Sequence, residues 1–95
     1  MAADELADFH GPHVGPPWPG RTKLTWHEPF SRASRIRVIS HTCECGKTMY
    51  ELCAAAGLGF VRRTDRAKRT VHETAWMLTA TAADAFGQIL DGKAG

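Results

Sequence analysis

Cysteine and histidine side chains concentrate in one short stretch, from His41 to Cys53. These thirteen residues contain all three cysteines of the chain and one of its five histidines. Thiolate and imidazole are side chains that zinc prefers. Alternate side chains of a strand share a face, and a hairpin turning through residues 46–48 would place Cys53 opposite His41. The spacing therefore predicts a zinc site with four ligands: His41, Cys43, Cys45 and Cys53.

Two other interpretations of the cysteines stay open. Structural zinc sites usually have the spacing C-x(2–4)-C, which the Cys-x-Cys pair of this chain does not match. Free cysteine is also among the most buried residue types and behaves as a small apolar side chain. The thiols are then buried or reactive free thiols, or part of a disulfide. In the zinc interpretation, His72 is the reserve ligand in case His41 faces away from the thiols.

The densest charge of the chain is a run of cations over residues 62–69. Five cations and one anion occupy this run. Arginine and lysine side chains match the oxygens of phosphate groups, so such a run is typical of a nucleic-acid contact. The competing interpretation is a solvated loop whose charges serve only solubility. The predicted nucleic-acid-binding residues are Arg62, Arg63, Arg66, Lys68 and Arg69, with Arg32, Arg35 and Arg37 as an extension of the patch.

Catalytic patterns are weak in this sequence. The dipeptides at residues 27–28 and 72–73 each pair a histidine with a glutamate, a combination used in acid–base chemistry, but no nucleophile lies at a known spacing. A thiol–imidazole couple between Cys53 and either His41 or His72 is the other option. We therefore predict that the chain is not an enzyme, and keep a thiol-dependent enzyme or redox sensor as an alternative.

Sequence periodicity predicts the elements that position these residues. Alternating polar and apolar residues, with β-branched side chains, are typical of strands. We expect a short edge strand over residues 22–26 and strands over 35–41, 50–56, 57–63 and 70–78, with a kink or bulge near Gly57 and Gly59 and a hairpin tip at 64–69.

The last element is predicted to be a helix over residues 81–91. Thr81 is a good N-cap residue, and Phe86, Ile89 and Leu90 fall on one apolar stripe at helical spacing. We expect an α+β fold in which a small antiparallel sheet of three to four strands is covered by this C-terminal helix.

Residues 1–20 differ from the rest of the chain. Four of the five prolines lie between Pro12 and Pro19, and proline excludes regular structure there. This predicts a flexible N-terminal arm over residues 1–20, with Trp18 as its anchor if it docks, and a single domain over residues 21–95.

Composition restricts the class of protein. The chain has 95 residues, 43% hydrophobic and 23% charged, and a net charge of +2, which is typical of one globular domain. This mild positive charge permits nucleic-acid contact without requiring it. The sequence has no apolar run long enough to span a bilayer and no signal-peptide pattern. We expect a cytoplasmic protein without a membrane partner, and the odd cysteine count agrees with a reducing compartment.

Four short segments form a recognisable pattern: HTCxCG from His41, YELCAA from Tyr50, FxRRT from Phe60 and HET from His72. This pattern, over about residues 26–90, resembles a group of short, uncharacterised actinomycete proteins of the Streptomyces type. The resemblance implies an actinomycete source and a cytoplasmic location, and it implies no particular activity.

These observations together favour a small regulatory or accessory binding protein. The first version is a zinc-stabilised module, of the kind used in transcription regulation, whose basic hairpin contacts DNA, RNA or a nucleic-acid-handling machine. The alternative is a protein–protein interaction adaptor without metal, acting through a sheet edge or the N-terminal arm. Salt-dependent nucleic-acid binding distinguishes these two, and thiol reactivity distinguishes the enzyme or redox sensor.

Overall fold

Four consecutive strands and one helix follow each other along the part of the chain that the computed structural model describes, which is residues 12–29, 35–43 and 46–95. The strands form one antiparallel sheet in the order of the sequence, so each strand pairs with its neighbour along the chain. The elements are β1 (Arg37–His41), β2 (Thr48–Ala55), β3 (Leu58–Asp65), β4 (Thr70–Glu73) and the helix α1 (Thr79–Leu90). The predicted fold class, a small antiparallel sheet with one C-terminal helix, is confirmed.

Helix α1 packs on one face of the sheet, which we call the helix face. The cross-strand partners Leu52 and Val61 form a hydrophobic cluster there with buried side chains of α1. Phe86 and Ile89 are buried, as the apolar stripe predicted, and Leu90 is partly buried. Among the described residues, no helix is both long and apolar enough to cross a lipid bilayer.

The start of α1 differs from the prediction. The helix begins at Thr79, and its N-cap residue is Leu78, which makes no side-chain capping hydrogen bond. Thr81 therefore lies inside the helix and is not its N-cap. Packing of the apolar stripe against β2 and β3 sets where the helix begins, because burial stabilises a helix more than a single cap does.

The opposite face, which we call the outer face, carries a second apolar cluster. Cys53, Ala55 and Phe60 are buried there. The Trp76 ring stacks on Phe60 with centroids 4.9 Å apart and planes within 1° of parallel. Both faces of the central strands are thus covered, which is why β2 and β3 carry apolar residues on both sides.

Strands β2 and β3 are joined by a tight turn. Ala56 and Gly57 have φ values of 51° and 77°, and Ala55 pairs with Leu58 across the turn. Two residues with positive φ form the turn that matches the twist of a hairpin. The kink or bulge predicted near these glycines is therefore wrong. The irregularity lies in β1, where the register shifts between Val38 and Ser40.

The segment before β1 runs beside the end of the chain described here. The Trp18 N–H donates to the Gly92 carbonyl at 2.9 Å, and Thr22 forms a parallel bridge with Ala94. Residues 12–20 of the predicted arm are thus hydrogen-bonded to the domain.

Residues 1–11 of that arm lie outside the described residues. The predicted edge strand at 22–26 is absent as a strand: the segment makes one isolated bridge, at Thr22, and the next residue, His27, makes another to Glu73 of β4. Pairing with the C-terminal residues and with β4 takes the place of a regular edge strand.

Candidate nucleic-acid interface

Two turns carry exposed cations at the same end of the sheet, which we call the basic end. The β1–β2 connection supplies Lys47, and the β3–β4 turn supplies Arg66, Lys68 and Arg69. Antiparallel pairing of β2 with β3 brings the two turns side by side. The Arg66 N–H donates to the Lys47 carbonyl at 2.7 Å, which joins the turns directly.

Local chemistry fixes the shape of the β3–β4 turn. The Asp65 carboxylate accepts a hydrogen bond from the backbone N–H of Lys68, three residues further on, at 3.0 Å. Aspartate side chains commonly stabilise turns by binding nearby backbone N–H groups. Arg69 closes the turn in the left-handed region, with φ of 56°. The predicted hairpin tip is thus present, and it occupies residues 66–69 between the paired residues Asp65 and Thr70.

Arg62 and Arg63 take different positions from the turn cations. A guanidinium nitrogen of Arg62 lies 3.5 Å from the Glu51 carboxylate on the outer face, where both side chains are largely covered. The Arg63 guanidinium lies on the helix face, 4.4 Å from the centroid of the Trp26 ring. Adjacent strand residues point to opposite faces, so two neighbouring arginines serve two separate surfaces.

Arg35 and Arg37 lie at the other end of the sheet. Arg37 pairs with Ala54 next to the β2–β3 turn, and both arginines line a shallow cavity there. The rise of a strand puts them roughly 20 Å from the basic end. The predicted extension of the basic patch through these two residues is therefore wrong, and Arg32 lies outside the described residues.

A polar cavity of about 310 Å³ opens on the helix face beside the basic end. Its floor is two cross-strand rows of side chains, each row taking one residue from β2, β3 and β4. Lys68 of the turn borders it. The first row is Thr48, Asp65 and Thr70, and the second row is Tyr50, Arg63 and His72.

The segment before β1 contacts this cavity. Trp26 packs its ring 6.0 Å from that of Tyr50, centroid to centroid. Two backbone hydrogen bonds between His27 and Glu73, at 2.7 and 2.8 Å, hold the segment along β4. Glu28, which is 87% exposed, places a carboxylate oxygen 3.7 Å from Nε2 of His72.

Sequence reasoning missed five members of this site. The cavity residues Thr48, Tyr50, Asp65 and Thr70 were not candidates, and neither was Lys47 of the basic end. The available signal was alternation: in a meander of three paired strands, every second residue near one end shares a face with Arg63. Using that signal requires the register, which depends on where the turns fall.

The predicted zinc ligands have a different register from the expected one. His41 is exposed and pairs with Glu51, whereas Cys53 pairs with Val38. The predicted pairing of His41 with Cys53 is wrong because the connection between β1 and β2 is placed differently from the predicted turn; the bulge in β1 lies beyond His41, between Val38 and Ser40.

Cys43 and Cys53 are both buried. Thr42, which precedes Cys43, exchanges hydrogen bonds with Tyr50 at 2.9 and 3.0 Å. Cys43 therefore lies near the level of Tyr50 in the sheet. Tyr50 is three residues from Cys53, so Cys43 and Cys53 are separated by roughly 10 Å along the strand. Two sulfur ligands of one zinc ion lie roughly 4 Å apart, so these two thiols do not meet that spacing.

Within residues 12–29, 35–43 and 46–95, no group of three or more histidine, cysteine or acidic side chains could hold a metal ion. Cys45 lies outside these ranges, and the reserve ligand His72 lines the polar cavity. Zinc binding stays a prediction, which metal analysis of the purified protein tests.

The Cys53 thiol has little nucleophilic character. Burial raises its pKa to about 11; the nearby Arg62 charge opposes this rise, and Glu51 and Glu73 add to it. The thiolate is the reactive form of cysteine, so Cys53 is protonated and inert at neutral pH.

Comparisons of the chain with protein-family models, with curated proteins and with solved structures found no match. The candidate interface therefore rests on the geometry of the described residues. Its two parts are the exposed cations of the basic end and the polar cavity beside them.

Proposed function

We propose that this protein is a small accessory protein that binds nucleic acid through the basic end of its sheet. The observation that carries the proposal is the hydrogen bond between the Arg66 N–H and the Lys47 carbonyl, 2.7 Å long. It holds two turns together, so that four exposed cations lie at one end of the molecule. These cations are Lys47, Arg66, Lys68 and Arg69.

The distribution of charge supports this proposal more than its total does. The net charge of the chain is only +2, and a comparably small charge spread evenly would attract nucleic acid weakly. Cations gathered at one end can instead neutralise several neighbouring phosphates of one strand and release their counterions. Contacts of this kind position a protein on nucleic acid without reading its sequence.

A protein-interaction adaptor is the second candidate function, and β1 supports it. This strand is at the edge of the sheet, and Val38 and Ile39 are 41% and 54% exposed. Exposed apolar residues on an edge strand favour pairing with another strand. A partner bound there would be released by Val38→Lys and unaffected by changes at the basic end.

Fluorescence anisotropy with labelled single-stranded RNA, single-stranded DNA and duplex DNA tests the nucleic-acid proposal. The Lys47→Gln/Arg69→Gln variant removes one cation from each turn and leaves the polar cavity intact. Its matched control is Arg35→Gln/Arg37→Gln, which removes the same charge from the opposite end.

We expect the basic-end variant to bind more weakly and the control to bind nearly as the wild type does. For each lost phosphate contact, the log–log salt slope should fall by about 0.9 on duplex DNA and about 0.7 on single strands. Folding stability should barely change, because exposed charges contribute little to it. An equal loss in both variants, or no binding at low salt, would overturn the proposal.

A further inference from the structure

The polar cavity gathers hydrogen-bond donors from all three strands beneath it. Arg63 and His72 are cross-strand partners in its second row, and Lys68 borders it from the turn. Hydroxyl groups complete the set, from Thr48, Tyr50 and Thr70. Arginine, lysine and hydroxyl groups are the donors that proteins use to bind phosphate oxygens.

Arg63 is held in place before any ligand arrives. Its guanidinium stacks over the Trp26 ring at 4.4 Å, and the Tyr50 ring packs against the same tryptophan. Stacking uses the face of the planar guanidinium and leaves its edge N–H groups for an acceptor. A side chain fixed in this way loses little conformational freedom when it binds an anion.

The charges around the cavity favour an anion. Asp65 is the one acidic residue among the described residues that line it, and its carboxylate accepts a hydrogen bond from the backbone N–H of Lys68. Glu28 lies 3.7 Å from His72, but it is 87% exposed and can rotate into solvent. Two cations, Arg63 and Lys68, thus face one anion, Asp65, so the charged groups that line the cavity carry one net positive charge.

The cavity has the size of a small ligand site. Its volume of about 310 Å³ is at the lower end of the range of roughly 300–1,000 Å³ that is usual for such sites. This volume is large enough for one phosphate group with part of an attached sugar.

We propose that the polar cavity is a binding site for a single phosphate group. This inference rests on the proposed function only for the source of the phosphate, a nucleic-acid strand, and its test does not need a polymer. The source is either a terminal phosphate or a phosphate within the backbone, and the same chemistry binds both.

Nuclear magnetic resonance of the isotope-labelled protein tests the site directly. Inorganic phosphate should shift the backbone signals of Thr48, Tyr50, Arg63 and His72, and sodium chloride at equal ionic strength should not. The absence of these shifts, or shifts confined to residues 66–69, would overturn the inference.

Two short oligonucleotides then separate the sources of phosphate. They share one sequence, and only one of them carries a 5′-phosphate. Stronger cavity shifts with the phosphorylated form assign the site to a strand end, and equal shifts assign it to the backbone. Either result supports phosphate binding in the cavity.

Substitutions in the cavity give the quantitative test. Arg63→Gln should weaken phosphate binding about tenfold or more, as expected for the loss of one charge-assisted hydrogen bond. Because that change also removes the stacking on Trp26, Thr70→Val provides a second variant that keeps the shape and suits a strand. Thr70→Val should weaken phosphate binding by several fold, and unchanged affinity in both variants would contradict the site.

The Lys47→Gln/Arg69→Gln variant separates this inference from the proposed function. Phosphate should still bind its cavity, since neither residue lines it. In the wild type, phosphate binding without any polymer binding would refute the proposed function and leave the cavity assignment standing. Polymer binding without signal shifts at the cavity residues would refute the cavity assignment and leave the proposed function standing.

Discussion

Neighbouring cations in this chain have different roles because of the direction in which each side chain points. Arg62 is committed to Glu51 on the outer face, and Arg63 is stacked on Trp26 on the helix face. Arg66 and Lys68 are exposed in the turn at the basic end. The residue types of the candidate interface could be predicted from the sequence, but this division could not, since it depends on strand register.

Cys53 makes the stability of the protein depend on pH. Its pKa is about 11 in the folded chain and 9.0 for an ordinary thiol. The folded state therefore holds this proton more tightly, so the stabilisation is full below pH 9 and is lost as pH rises towards 11. A difference of about two pKa units corresponds to about 2–3 kcal/mol.

We expect the free energy of unfolding to fall between pH 9 and 11 by about that amount more in the wild type than in Cys53→Ala. Urea denaturation at a series of pH values measures this slope, and parallel slopes in the two proteins would contradict it. Mass-spectrometric mapping after alkylation at neutral pH provides an independent check: Cys53 should be labelled only when urea is present.

At the level of elements, helix α1 lies close to β3 at Gly59. A Cβ atom at Gly59 would lie 2.8 Å from Cβ of Ala82 and 3.1 Å from Cα of Thr79. The second contact is to backbone, so the helix itself must move to make room. The glycine thus sets how near the helix lies to the sheet.

Gly59→Ala should therefore destabilise the fold by about 1–3 kcal/mol, as expected for overpacking. Gly87→Ala is the matched control, because a Cβ there meets nothing within 4 Å and alanine favours a helix by about 1 kcal/mol. Thermal denaturation should show opposite shifts for the two variants. A loss of stability in both, or in neither, would contradict this account of the contact.

The strands and the helix were largely predictable, whereas their limits were not. Alternation located all four strands, but β4 ends at Glu73 and not at residue 78. The reason is Thr74, whose hydroxyl accepts a hydrogen bond from the Val61 N–H at 3.1 Å. A side chain thus replaces the backbone carbonyl that would accept this bond in a continued strand. Such side-chain pairing and the bulge in β1 arise from tertiary contacts that local patterns do not contain.

At the level of the whole molecule, the segment before β1 is hydrogen-bonded to the residues that follow α1. Gly92 lies where they meet, with φ of 76°, and a Cβ atom there would collide with the Pro16 carbonyl oxygen. Proline composition predicted irregular structure for residues 12–20, but not this docking, which depends on a glycine far away in the sequence.

Gly92→Ala should destabilise the protein more than Gly57→Ala does. Both glycines have nearly the same positive φ, 76° and 77°, so alanine suffers about 1 kcal/mol of backbone strain at each. At Gly57 a Cβ meets nothing within 4 Å, so the difference between the variants reports the docking alone. Hydrogen exchange should show loss of protection at Trp18 only in Gly92→Ala, and equal effects would contradict the docking.

The tight turn at Ala56 and Gly57 also has a consequence for the order of folding. It closes two eight-residue strands with a very short loop, so the β2–β3 hairpin can form on a timescale of about 1–10 μs. The bridge between Thr22 and Ala94 spans about seventy residues and has a much larger closure entropy. During synthesis, residues 15–24 therefore stay undocked until residue 94 has left the ribosome. All four strands of the sheet leave the ribosome before that point.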